Sequence, residues 1–559
     1  MKNNYIVEKL ISLYGTDKGE DTYKKLQAII EKEKKNIGKT AGASPLISQK
    51  DIVLITYPDS FTEDGTPRLK TLHKFLNTHI KEYINTVHIL PFNSTSSDRG
   101  FSVINYYEVK KDFGSWEDIE LIGKEYKLMA DIVLNHISSK SIWFRKFLQG
   151  DPKYQDFFIN FTEEQITADL VKNLQKVTRP RATSILAEFN TRKGKRFVWT
   201  TFSVGDKTDQ IDLNYKNPEV LLALMELMGF LLKKRVRMFR LDAATYIWKE
   251  LGTNCANLSQ VHIIVQLFRA VLDEICPEAV IVTETNVPHK ENIAYFGNGK
   301  DESQMIYNFA LPPLVLHAFY SANANYLTEW AKHLFTPSEQ TKFFNFLACH
   351  DGIGMNGARG ILPEKEIELL SANLANNGAK INYKTLPNGR EGIYEVCATW
   401  WSALSLPKKN FEINYKRFLT SHAIAFALAG IPGIYYVSLF GKENDLQILE
   451  KTKHNRDILR QCIDYNLLLS TLKVSSKERR IFDGMIGLIS ERVSHPAFGP
   501  KAAQKILSLD QRIFAVLRSC EDEELLALHN ITKDSVKITY RKKEYIVHPY
   551  DFLWETLKR

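Results

Sequence analysis

The sequence predicts an α/β fold: a closed (β/α)8 barrel of the TIM type, with subdomains inserted after its third and seventh strands and an antiparallel β domain at the carboxyl terminus. Three observations predict it. Apolar, β-branched runs recur eight times, separated mostly by helical patterns, as in a parallel sheet buried on both faces. Acidic residues stand at the polar ends of three of those runs, where such a barrel gathers its working side chains. Two connections are too long for a simple strand–helix–strand unit, and long loops in compact domains are usually lids or inserted subdomains.

Taken in order, residues 1–40 read as amphipathic helix, as in Lys24-Lys25-Leu26-Gln27-Ala28-Ile29-Ile30. The strand-like runs are Ile52–Thr56, Val87–Leu90, Leu128–Leu134, Met238–Leu241, Val280–Thr283, Met305–Asn308, Phe344–Leu347 and Gly433–Val437. Helical patterns such as Val220–Lys233 and Val261–Ile275 lie between them. The long connection after the third run carries the basic, turn-rich segment Thr178–Thr201. The one after the seventh carries Asn376-Asn377-Gly378 and Pro387-Asn388-Gly389-Arg390. The longest apolar stretch, Ala423 to Val437, is broken by Gly430-Ile431-Pro432-Gly433 and reads as a buried helix, a turn and a strand, too short to span a membrane. After a helix around Ser476–Val493, period-two segments at Lys505–Leu509, Arg512–Leu517, Leu525–His529 and Val536–Tyr540 predict the terminal β domain. The expected division is barrel at 1–136, 206–354 and 401–495, insertions at 137–205 and 355–400, and β domain at 496–559.

Composition narrows the function classes. With 44% apolar and 25% charged residues over 559 positions, the chain is an ordinary globular protein. A net charge of +9, from 74 basic and 65 acidic residues without a basic block in the catalytic region, argues against nucleic acid as partner. Cys255, Cys276, Cys349, Cys397, Cys462 and Cys520 form no CxxC pair, which suits reduced thiols in a cytoplasm. No signal-peptide core is apparent, so a soluble cytoplasmic protein is expected, with no membrane partner. Cys349, beside His350, reads as a small packed residue at a strand end.

Three acids carry the chemistry. Asp242 stands in Arg240-Leu241-Asp242-Ala243, Glu284 in Ile281-Val282-Thr283-Glu284-Thr285-Asn286, and Asp351 in Phe346-Leu347-Ala348-Cys349-His350-Asp351. On neighbouring parallel strands they would converge on one pocket. Retaining sugar-transfer enzymes need such a set: one carboxylate attacks the anomeric carbon, another hands a proton to the departing oxygen. Arg240, two residues before Asp242 on the same strand face, is expected to keep that acid ionised. Glu284 then needs a pKa above that of Asp242, which burial and the neighbouring charge could supply.

Asp131-Ile132-Val133-Leu134-Asn135-His136, Arg240-Leu241-Asp242-Ala243, Glu284 and His350-Asp351 resemble, in order, the four signature regions of the α-amylase family. A narrower likeness covers most of the chain. Leu90-Pro91-Phe92, Ser97-Asp98-Arg99-Gly100-Phe101, Phe309-Ala310-Leu311-Pro312-Pro313-Leu314, His350-Asp351-Gly352-Ile353-Gly354 and Asn455-Arg456-Asp457-Ile458 are similar to the sucrose phosphorylase group, which moves a glucosyl unit between an α-glucoside and inorganic phosphate. Within it, Gln210-Ile211-Asp212-Leu213-Asn214-Tyr215, Trp248-Lys249-Glu250 and Glu284-Thr285-Asn286-Val287-Pro288-His289 look more like the glucosylglycerate branch than the sucrose branch.

The resemblance implies Asp242 as nucleophile, Glu284 as general acid and base, and Asp351 with His350 gripping sugar hydroxyls. It implies His136 as a further hydroxyl donor, Phe101 as an apolar wall, and Asp98 with Arg456 as the pair closing the pocket over the far end of glucose. Phosphate must compete with water, so an anion site is expected; Arg179, Arg181, Tyr246 and Asn286 are its candidates, with Arg390 a weaker one on the second long loop. The phosphate would be free, since no GxxxxGK[ST] loop is present. Asn135-His136 lie on the side where some amylases hold calcium, but the phosphorylase group is not marked by that metal, so neither metal nor cofactor is expected. A homodimer is compatible with the sequence. Sucrose, sucrose phosphate and glucosylglycerol remain alternative substrates, and a glucosidase or transglucosidase on the same scaffold an alternative reaction. Two stretches depart from the group's pattern: Ala182–Phe189, where Glu188 would sit awkwardly beside an anion unless it points away or pairs with Arg192, and Asn93-Ser94-Thr95, which lacks the usual aromatic.

Overall fold

The structure, a computed structural model, describes residues 2–37, 48–181, 183–203, 209–385, 391–406 and 409–557. Its centre is a closed barrel of eight parallel strands: β1 (Val53–Thr56), β2 (Thr86–Ile89), β3 (Lys127–Val133), β4 (Val236–Asp242), β5 (Val280–Thr283), β6 (Met305–Tyr307), β7 (Lys342–Phe346) and β8 (Ile431–Tyr435). Each pairs with its neighbour in sequence, and β8 closes on β1 through Val53 opposite Gly433. The apolar runs form strands because both faces are covered: all four residues of β1 and of β2, and all five of β7 and of β8, are buried.

Every predicted barrel strand falls within two residues of the observed one. The largest departure is at β8. The expected turn over Gly430–Gly433 gives way to a strand beginning at Ile431, which runs through Pro432 opposite Asn345. Proline is tolerated near a strand's start, and the actual bend is left to Gly430 at a φ of 143°.

The outer helices follow from amphipathic patterns and local caps. Asn217 accepts the backbone N–H of Glu219, and Pro218 sits in the first turn, starting the helix Pro218–Lys233. The amino-terminal segment forms two helices, Lys2–Tyr14 and Thr16–Ile37, against this helix and Ser259–Ile275. Ion pairs from Glu33 to Lys233 (2.8 Å) and from Lys34 to Glu274 (2.7 Å) fix the second of them.

After β3 the chain builds an antiparallel sheet of Asn160–Phe161, Gly194–Trp199 and Leu186–Thr191, with its own small apolar cluster of Ile185, Trp199 and Cys255. After β7 it builds a second sheet of Ile353–Gly354, Glu391–Cys397 and Lys380–Thr385. The carboxyl terminus is a four-stranded antiparallel sheet (Ala503–Leu507, Ile513–Ser519, Glu524–Asn530, Phe552–Thr556) beside a hairpin of Val536–Tyr540 and Lys543–Val547, around a separate apolar cluster. Among the described residues no helix is long and apolar enough to cross a membrane.

Candidate active site

Parallel register places the acids. Asp242 ends β4 opposite Val133 of β3, and Leu241 lies opposite Thr283, so Glu284, one step past the end of β5, stands level with Asp242. Asp351 follows β7 by a short loop. All three line one cavity at the carboxyl ends of the strands. Asp98, Phe101, His136, Arg181, Tyr246, Asn286, His350 and Arg456 line it too.

Arg240 organises the acids. Its Nη1 donates to Asp242 Oδ1 at 2.8 Å and also to Asp131 Oδ1, while Nη2 lies 3.6 Å from Glu284 Oε2. His88 Nε2 meets the other Asp131 oxygen at 2.8 Å, so a fully buried His88–Asp131–Arg240 chain stands behind the nucleophile candidate. Ala243 adopts a left-handed conformation (φ 52°), uncommon outside glycine, which aims its N–H at Glu284 Oε2 over 3.1 Å.

The protonation of the pair differs from the expectation that Arg240 simply keeps Asp242 ionised. Burial pushes the Asp242 carboxyl well up against the pull of Arg240, and the charge on Glu284 adds to the rise. Burial raises Glu284 as well, again opposed by Arg240. The two carboxyls therefore titrate as one unit. Contacts decide where the anion rests: Asp242 has the direct guanidinium bond, Glu284 a neutral amide and a longer approach.

The cavity wall around Asp98, Asp351 and Arg456 is heavily cross-braced. Arg456 grips Glu395 with a fork, Nε to Oε1 at 2.7 Å and Nη2 to Oε2 at 2.9 Å, and turns Nη1 to Asp351. The expected Asp98–Arg456 pairing is replaced by a wider network. Asp98 receives Arg460 Nη1 at 3.3 Å and Gln210 Nε2 at 3.1 Å, because Arg456 is already committed to two other acids. Burial alone would raise Asp98, but Arg460, then Arg456 and Arg181, hold it well below the usual carboxylate range. Asp98 and Arg99 both take left-handed φ values, 50° and 47°, strain that the fold sustains at the cavity wall. Phe101 stacks on His350 with ring centres 4.8 Å apart, and burial with Arg240 keeps that imidazole neutral. His136 lines the cavity, but its ring is engaged: Nε2 donates to Phe101 O at 2.9 Å, and Asn135 Nδ2 lies 3.4 Å from Nδ1. No spare donor is left for a sugar hydroxyl in this arrangement.

The opposite end is sparsely paired. Arg181 donates to Pro180 O and lies over the Phe202 ring at 5.8 Å, with no carboxylate in ion-pair range among the described residues. Asn286 Oδ1 is buried without a hydrogen-bond partner among the described residues, and the Asn356 amide donates to the Asn286 backbone carbonyl at 3.0 Å. Tyr246 packs edge-on against Phe202. Arg179 lies outside the cavity lining; it bonds Thr183 Oγ1 at 3.0 Å, and burial lowers its pKa to about 10. Glu188 pairs with Lys195 at 2.9 Å, not with Arg192, and is exposed away from the cavity. Arg390 falls outside the described residues. Phe202, Gln210, Thr245 and Tyr394 line the cavity and were not singled out as site residues from sequence.

Where an amylase might seat a cation, Lys249 Nζ already bonds Asn135 Oδ1 and Asp212 Oδ2, each at 2.6 Å. Cys349, His350 and Asp351 bring possible ligand atoms within 4.8 Å of one another. That set suits a metal poorly: burial pushes the Cys349 thiol up, and Asp351 is held by Arg456.

The family described as alpha amylase, catalytic domain, matches residues 57–353. The chain is 43% identical to the glucosylglycerate phosphorylase of Spirochaeta thermophila over 533 residues, 94% of this chain and 88% of the relative. It is 40% identical to the glucosylglycerate phosphorylase of Escherichia coli over 553 residues, 98% of this chain and 97% of the relative. The crystal structure of sucrose 6F-phosphate phosphorylase from Thermoanaerobacter thermosaccharolyticum superposes with a TM-score of 0.77 over 91% of this chain and all of that one; at 24% identity it establishes the fold alone.

Proposed function

The chain belongs to the α-amylase family, and on that premise we propose that it is a retaining α-glucosyl phosphorylase acting on glucosylglycerate. One observation carries the reaction type: two buried carboxyls on neighbouring strands share an arginine inside a single cavity that Arg181 also lines, without an acid partner among the described residues. Identity of 40–43% to glucosylglycerate phosphorylases over most of the chain supports the substrate.

In the first step Glu284 is protonated and Asp242 is the anion. Glu284 gives its proton to the glycosidic oxygen, Asp242 attacks the anomeric carbon, and the bond to glycerate breaks as a β-glucosyl ester forms. The positive charge that develops on the ring is steadied by Asp242 and by Asp351. Glucose is held by Asp98, Phe101, His350 and Arg456, while Arg240 sets the aim of Asp242. In the second step phosphate takes the place glycerate has left, held by Arg181 with Tyr246 and Asn286 beside it. Glu284, now ionised, removes a phosphate proton; the phosphate oxygen attacks and the ester opens. Two inversions return the α configuration as α-glucose 1-phosphate. Arg179 supports the loop that carries Arg181. The buried thiols of Cys255, Cys276, Cys349 and Cys397 favour a cytoplasmic setting.

The test runs the reaction backwards. α-Glucose 1-phosphate is supplied with glycerate, fructose, fructose 6-phosphate or glycerol, and phosphate release is followed. Glycerate should exceed every other acceptor by at least about tenfold, the discrimination expected when a charged group finds its own partner. Equal or faster release with another acceptor would overturn the substrate, and no release with any would overturn the reaction.

A further inference from the structure

The second insertion reaches the glucose end of the cavity through a residue that never lines it. In the strand Glu391–Cys397 the side chains alternate. Tyr394 faces the cavity. Glu395, on the other face, is 1% exposed and points to Arg456. Both of its oxygens accept from that guanidinium, and Asn382 Nδ2 holds Oε1 from the far side at 2.8 Å. Asn455 Nδ2 in turn holds Asn382 at 2.7 Å, so the carboxylate is braced from two elements. Gly352 makes room for it, since a Cβ there would lie 3.0 Å from the Glu395 carboxyl carbon.

The bracing has an electrostatic result. Two arginines, Arg456 and Arg460, face four carboxylates at this end: Asp98, Asp351, Glu395 and, at 4.0 Å, Asp457. The ion pairs here therefore hold more acids than arginines; Arg181, which also draws Asp98 down, has no carboxylate in ion-pair range among the described residues. Without Glu395 the Arg456 fork would lose its partner, and the local charge would rise by one within a buried site where screening is weak.

We propose that Glu395 is a positioning residue that fixes the Arg456 fork on Asp351 and cancels its charge, so that the glucose end takes a neutral sugar and refuses inorganic phosphate. The idea rests on the phosphorylase reading. A phosphorylase works in phosphate and must keep that anion off the seat the glucoside has to occupy first; the acid behind Arg456 does this without touching substrate.

The experiment compares wild type with Glu395→Gln, Glu395→Ala and Glu395→Asp. The first readout is inhibition by phosphate, measured against varied glucosylglycerate. Gln and Ala should each lower the phosphate inhibition constant about fivefold or more, competitively with the glucoside, as expected for an added positive charge in a poorly screened site. Asp keeps the charge and should leave the constant near that of wild type. The second readout is titration calorimetry of inorganic phosphate into the substrate-free proteins, which needs no turnover. Gln and Ala should gain a phosphate-binding event that wild type and Asp lack, and glucose should displace it. Unchanged phosphate inhibition and unchanged phosphate binding in both neutral variants would overturn the proposal, even if kcat falls. If wild type does not turn over glucosylglycerate, the functional reading fails by itself, and calorimetry still decides the role of Glu395.

Discussion

The two ends of the cavity are built to different rules. At the glucose end each arginine is spoken for: Arg240 by Asp131 and Asp242, Arg456 by Asp351 and Glu395, Arg460 by Asp98 and the His350 carbonyl. At the acceptor end Arg181 rests on an aromatic ring and a carbonyl, and a buried Asn286 oxygen has no hydrogen-bond partner among the described residues. A site meeting the same ring in every turnover gains from fixed geometry. A site meeting a leaving acid and then phosphate needs uncommitted donors, and it keeps them at some cost in desolvation. Loops after barrel strands contribute to both ends; the second insertion adds Glu395 to the first, and the first insertion adds Arg181 and Phe202 to the second.

This contrast predicts a ranking of effects. Asp242→Asn should be the most severe, with kcat for phosphorolysis falling about 10^4-fold or more because no covalent intermediate can form; initial rates check it, and substantial residual turnover would displace Asp242 as nucleophile. Glu284→Gln should cost about 10^2–10^4-fold with a poor leaving group, the usual worth of general acid–base catalysis. A donor whose leaving group needs no proton should escape most of that loss at the first step. Arg181→Ala should cut kcat/KM for phosphate about 10–100-fold, the worth of a charge-assisted fork, while release of free glucose persists. An equal loss with and without phosphate would place Arg181 at the glucose end and erase the comparison.

The smallest effect is on stability. Burial raises the folded-state pKa of Asp242 above its unfolded value, so the folded protein binds the extra proton. Stability from that proton is fully present below the unfolded pKa and is lost as pH rises through the folded pKa. Asp242→Asn removes the penalty for ionising this group. The variant should gain Tm over wild type at pH 8 and gain less at pH 5, by calorimetry; a loss at pH 8 would contradict the sign.

The barrel was legible because its strands are buried on both faces, and continuous apolar runs ending in acids are hard to mistake. Two terminal strands escaped. Lys543–Val547 exposes three of its five residues, and no residue of Phe552–Thr556 but Trp554 is buried, so neither carries a strong apolar signal. That Asp242, Glu284 and Asp351 would meet in one cavity was legible from their places at strand ends. Arg460 and Glu395 were not, since their importance arises from partners far away in the chain, such as Glu395 with Arg456. Phe202 and Tyr394 come from insertions, where a lone aromatic has no periodicity to mark it. Gln210 stood inside a stretch already matched to the phosphorylases, and that was the signal available. The Asp242 expectation was incomplete for a related reason: adjacency to Arg240 is visible in sequence, whereas the burial that opposes it is not.

The account rests on one glucosyl unit being trapped on the protein and then collected by phosphate. Proton NMR of the reaction with glucosylglycerate, run with and without inorganic phosphate, tests that most directly. The account predicts α-glucose 1-phosphate as the first-formed sugar, with little free glucose while phosphate is present. A β-linked product, or free glucose at the same rate in both samples, would contradict it.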